Sequence, residues 1–175
     1  SGSTTVGRYQ GGTPIADVWT NIVIINNNNS FSFYQDNALM TNYGSYTQPM
    51  SGGSYTSSLD FILGRAGAYN SELYAGSIDQ VRIFNSALPQ AAVTALYNET
   101  TTTATYSYVD YVDANPSIAY YKMSDATDQL GNYNGTATNV NFNTEGKFGF
   151  AGAFNGSSSY INTNYTKSGT AFSFS

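Results

Sequence analysis

The stretch GSIDQVRIFNSALPQAAVTALY, residues 76–97, decides the fold. From Ser77 to Asn85 it alternates, with Asp79, Val81 and Ile83 on one face and Ile78, Gln80, Arg82 and Phe84 on the other. A period of two predicts a strand. Asn85-Ser86 breaks the alternation, and Pro89 suits the first turn of a helix, where its missing N–H is not needed. Val93, Leu96 and Tyr97 then recur at helical spacing and predict one apolar helical face. Asp79 is the odd residue, because a carboxylate beside two β-branched apolar side chains must be paired, hydrogen-bonded or bound to a metal.

This stretch resembles the closing segment of concanavalin A-like sandwich domains of the laminin-G type, which reads G-x-I-D-x-V-R-I-Y-N-x-A-L-S-x-x-E-I-x-x-L-Y. Gly76, Ile78, Asp79, Val81, Arg82, Ile83, Asn85, Ala87, Leu88, Leu96 and Tyr97 match, and Phe84 stands for the Tyr. Pro89 replaces the N-cap Ser and Ala92 the Glu, so the reciprocal capping pair is lost. The resemblance implies an all-β fold. That fold is an antiparallel β-sandwich of the jelly-roll, concanavalin A-like kind, with one short helix near residues 89–97.

Composition agrees. The 175 residues are 15% aromatic and only 10% charged. Ser, Thr, Asn, Gly and Tyr fill much of the remainder, as in all-β surface proteins with short strands and many turns. The chain has no Cys and no His, which removes disulfides, Cys/His zinc sites and His-based triads. Six basic residues, scattered singly in a chain of net charge −5, make no patch for nucleic acid. No apolar run approaches the roughly 18 residues that span a membrane. The expected location is extracellular or on a virion surface.

Upstream, residues 17–25 read as a central strand with Trp19 in the core, and residues 31–37 as its hairpin partner. The turn is Asp36-Asn37, where Asn tolerates positive φ. Residues 41–58 and 65–74 read as loops, and residues 59–64 as a strand. Downstream, residues 119–123, 128–136, 146–149 and 153–161 resemble the same family's opening, Y-x-F-D … D-S-S-G-N-x-N-G-T … G-K-F-G … F-N-G-x-x-x-Y-I. The halves therefore come in reversed order. Residues 1–98 are expected to be the C-terminal half of one sandwich, 99–116 a linker, and 117–175 the N-terminal half of a sandwich. A window on a tandem array is favoured over a circular permutant. The style resembles repeats of large phage structural proteins.

The family's calcium position implies Asp79, Asp128, Asn132 and Asn134 as ligands, since calcium takes about six to eight oxygens. The plainer alternative is that Asp79 accepts hydrogen bonds and Asp128 makes an Asx turn. Loop aromatics and amides suit sugar stacking and hydroxyl recognition, so Tyr43, Tyr46, Tyr55, Tyr69 and Tyr74, with Asn42 and Asn70, are the carbohydrate candidates. Half-exposed packing is the competing role for each tyrosine. No catalytic residue is assigned, because no E-x-D-x-E strand motif and no nucleophile–base dyad occur. The expected function is a non-enzymatic adhesion or glycan-recognition module, with glycans or neighbouring copies as partners. A structural spacer is the alternative, and a glycoside hydrolase the least favoured class.

Overall fold

The computed structural model describes residues 17–28, 30–40, 42–43, 46–47, 50–51, 60–65, 72–99, 116–167 and 170–175. The strands begin with β1 (Ile22–Asn27), β2 (Ser30–Gln35) and β3 (Ala38–Leu39). Short β4 (Asn42–Tyr43), β5 (Tyr46–Thr47) and β6 (Met50–Ser51) follow, then β7 (Asp60–Leu63), β8 (Ala75–Ile78) and β9 (Val81–Phe84). Helix α1 (Gln90–Tyr97) precedes β10 (Ser117–Tyr121), β11 (Thr136–Thr138) and β12 (Asn141–Glu145). The chain closes with β13 (Phe150–Asn155), β14 (Tyr160–Thr166) and β15 (Ala171–Phe174). The pairing is antiparallel throughout these strands, so the fold is the expected all-β sandwich with one short helix among the described residues.

The large sheet runs β10-β9-β15-β1-β2-β3, with β6 also on β2. The facing strands form β11-β14-β7 and β12-β13-β8. Between the layers lie Leu63, Val81, Ile83, Ala119, Tyr121, Met123, Phe154, Ile161 and Tyr165. The other face of the large sheet carries Val23, Ile25 and Phe84, covered by Ala92 and Val93 of α1 and by Leu88 just before it. Fully burying an aliphatic or Phe side chain contributes about 1.5–3 kcal/mol, so this seam is what holds so short a helix.

The order of the halves resolves within the chain. Arg82 faces Tyr120, Ile83 faces Ala119, and Val81 faces Tyr121 across the β9–β10 ladder. β15 then joins β9 to β1. The array reading expected each half to lack partners in this chain, and instead both halves build the same sheet. Residues 100–115 of the expected linker lie outside the described residues.

Five further expectations are corrected. Residues 77–85 are not one strand: β8 pairs with β13 while β9 belongs to the large sheet. The chain changes sheet at Asp79-Gln80, where Gln80 has φ +54°. Trp19 is 39% exposed, not core, because β1 starts only at Ile22 and Trp19 lies before its ladder. Pro89 is the N-cap rather than the first helical residue, and Tyr97 faces solvent while Ala92 takes the buried place. The 41–58 loop contains β4, β5 and β6. The Asp36-Asn37 turn is as expected, with φ +49° and +66°. Asn37 Oδ1 accepts from Gln90 and Thr94 and so ties the hairpin to α1.

Candidate functional site

Asp79 sits at the crossing between layers. Its Oδ2 accepts from Phe148 N–H at 2.8 Å and its Oδ1 from the Gln80 amide at 3.2 Å. The receiving turn is closed by Gly146 N–H on Gly149 O. Gly146 is required there, since a Cβ would come within 2.8 Å of Asp79 Oδ2. Burial raises the Asp79 carboxyl above its ordinary value, and these hydrogen bonds pull it partly back. Asp79 is thus a hydrogen-bonded corner residue, not a strand-face residue as the alternation predicts.

Asp128 is 2% exposed and uses both oxygens twice. Oδ1 accepts from Tyr120 N–H at 2.8 Å and Leu130 N–H at 3.0 Å. Oδ2 accepts from Asn132 N–H at 2.9 Å and Tyr133 N–H at 3.0 Å. Asn134 Oδ1 accepts from Asp128 N–H, and the Asn132 amide donates to Ile118 O. An ionised carboxylate offers about four lone-pair positions, and four N–H groups point at them. A cation meeting those oxygens would meet the hydrogens first.

The four residues implied for calcium thus fall into two separate hydrogen-bonded groups. Asp79 serves the turn around residues 146–149, and Asp128, Asn132 and Asn134 serve their own loop. Among the described residues no group of three or more Asp, Glu, His or Cys could hold a metal ion.

Beside Asp79, a cluster appears that sequence reasoning missed. Arg82 is buried on the helix side of the large sheet, 3.0 Å from Glu99 and 4.4 Å above the Tyr120 ring. Tyr120 OH donates to Gln80 Oε1. Burial pushes Glu99 up and Arg82 opposes it. Burial also raises the Tyr120 and Tyr121 hydroxyls, with the Asp128 charge adding at Tyr121. The signal was available: Arg82 stands alone among Val81, Ile83 and Phe84 in a strand buried on both faces.

Of the carbohydrate candidates, Tyr55, Tyr69 and Asn70 lie outside the described residues. The backbones of Tyr43 and Tyr46 face each other across β4–β5, beside Asn42. Tyr74 is 45% exposed but held: its N–H donates to Gly64 O, its OH donates to Ser77 O at 3.3 Å, and its ring meets Phe154 edge-on at 6.1 Å. Trp19, assigned to the core from sequence, is a second exposed aromatic.

A family model described as the concanavalin A-like lectin/glucanases superfamily, of laminin-G type, matches residues 1–94. With the two-layer antiparallel architecture above, this places the chain in that superfamily: it belongs to the concanavalin A-like lectin/glucanases. Membership suggests a carbohydrate-binding or structural β-sandwich. No curated protein and no solved structure gave a match to the chain. Among the described residues, no helix is long and apolar enough to cross a membrane.

Proposed function

We propose that the chain is a non-enzymatic module that recognises glycans in adhesion, on an extracellular or virion surface. The observation that carries this reading is Tyr74, an exposed ring fixed by its backbone, its hydroxyl and its edge contact with Phe154. A preset aromatic face loses little conformational freedom when a sugar stacks on it. The carboxylates argue for binding without chemistry. Asp79, Asp128 and Glu99 are each committed to protein hydrogen bonds or to Arg82, rather than facing one another across a bond to be cut.

A glycan array with the protein and Tyr74→Ala tests this. Binding by the protein and at least tenfold weaker binding by a folded Tyr74→Ala support it. Equal binding would remove Tyr74 from the site, and release of reducing sugar from a bound glycan would overturn the non-enzymatic part. One observation favours a second reading, a structural spacer whose partners are copies of itself. Val18, Trp19 and Ile22 are exposed in one run at the entry to β1, and clustered exposed apolar side chains mark contact surfaces. Concentration-dependent sedimentation without glycan binding would select it.

A further inference from the structure

β10 is the last strand of the large sheet among the described residues. An open edge offers N–H and C=O groups in register to any other strand. Here those groups are taken. On the side away from β9, Tyr120 N–H donates to Asp128 Oδ1 and Tyr120 O accepts from Gln129 N–H at 2.8 Å. Ile118 O accepts the Asn132 amide at 3.1 Å, and Tyr121 and Asp128 form an isolated antiparallel bridge. The covering loop is self-supporting, because the same Asp128 carboxylate gathers the N–H groups of Leu130, Asn132 and Tyr133. Gly131 N–H closes a turn on Asp128 O, and Gly135 N–H bonds to Ala126 O. Tyr121 OH reaches Tyr133 O from the core, so the loop is also anchored from beneath.

We infer that residues 125–135 form a metal-independent clamp that seals the β10 edge against strand addition by another chain. Its negative charge is balanced by backbone N–H groups instead of a cation. The loop position that the family resemblance implies for calcium is here filled by the protein's own donors. Loss of Asp128 opens the edge at Tyr120 and loosens the loop together, so edge exposure and loop order are one event. Among the described residues the large sheet ends on β10 and β3, and this chemistry closes the β10 end.

The test uses the intact chain in three arms. Thermal melting is measured with EDTA and with excess calcium chloride. Amide hydrogen exchange is followed at Tyr120, Leu130, Asn132 and Tyr133. Light scattering after size exclusion is recorded for the protein, for Asp128→Ala and for the milder Asn132→Ala, which removes only the contact to Ile118. Expected are a melting temperature shifted by less than about 1 °C by either additive, and slow exchange at all four amides regardless of calcium. Expected too are concentration-dependent oligomers for Asp128→Ala and faster Tyr120 exchange for Asn132→Ala. A clear drop in melting temperature with EDTA, or exchange at these amides that slows on adding calcium, would overturn metal independence. A folded Asp128→Ala that stays monomeric, or fast exchange at Tyr120 in the unaltered protein, would overturn the seal.

Discussion

Asp79→Asn and Asp79→Ala separate the roles a half-buried carboxylate can have at the corner between sheets. In Asp79→Asn the remaining carbonyl oxygen can keep the Phe148 N–H bond, now 2.8 Å long. The new NH2 then faces the Gln80 amide donor. Gln80 cannot turn its amide round freely, because its Oε1 holds Tyr120 OH. One side-chain bond is lost, about 1 kcal/mol, and the desolvation that raises the Asp79 carboxyl disappears with the charge. The two effects oppose, so Asp79→Asn should lie within about 1 kcal/mol of the protein at pH 7. Asp79→Ala leaves Phe148 N–H without its acceptor and should destabilise by about 1–3 kcal/mol.

The pH dependence has a definite sign. The folded carboxyl titrates above 3.8, the ordinary value that the unfolded chain retains. Its contribution is fully present below 3.8 and is lost as pH rises through the higher folded value. The stability gap between the protein and Asp79→Ala should therefore narrow as pH goes from about 4 to 7. Guanidinium unfolding at several pH values, extrapolated to water, measures it. A gap that widens with pH, or an Asp79→Asn loss above about 3 kcal/mol, would refute this account of the corner.

Other outcomes follow from single contacts. Gly64→Ala should lose about 2–5 kcal/mol in chemical unfolding, from a left-handed backbone and a forced shift of the Phe154 ring, since Gly64 has φ +82° and its added Cβ would come 2.3 Å from that ring. Glu99→Gln should remove part of the stability lost between pH 4.5 and neutrality, because burial raises the Glu99 carboxyl above 4.5 in the folded state; a melting series over that range reads it. Asn155→Ala should cost about 0.5–1.5 kcal/mol or more in the same assay, as Asn155 Oδ1 accepts the N–H groups of Ser157, Ser158 and Ser159.

The class of fold was readable because residues 76–97 carry a long run of matched spacing, and the Asp36-Asn37 turn because its chemistry is local. The break at Asp79-Gln80 was not, since alternation is continuous through Gln80 and only its positive φ sends the two flanking strands to different layers. Trp19 was misplaced for a related reason: apolar residues before a strand continue its pattern without continuing its ladder. At the candidate site, sequence located Asp79 and Asp128 and offered hydrogen bonding or an Asx turn as the plainer role, but not which distant groups they hold. Their partners are backbone N–H groups, which leave no mark in residue type. Arg82 and Glu99 are separated by the whole of α1, and only the helix's path against Val23, Ile25 and Phe84 brings the chain after Tyr97 back to the sheet.

The central claim is that the two segments share one sheet within one chain, and one measurement addresses it directly. Nuclear Overhauser contacts between the backbones of Arg82 and Tyr120, and of Ile83 and Ala119, are recorded on a uniformly labelled sample. They are then sought in an isotope-filtered experiment on an equal mixture of labelled and unlabelled protein, where only contacts between different chains survive. The account predicts strong contacts at these register pairs in the first sample and none in the filtered one. Contacts that appear in the filtered spectrum, or no contacts in either, would contradict it.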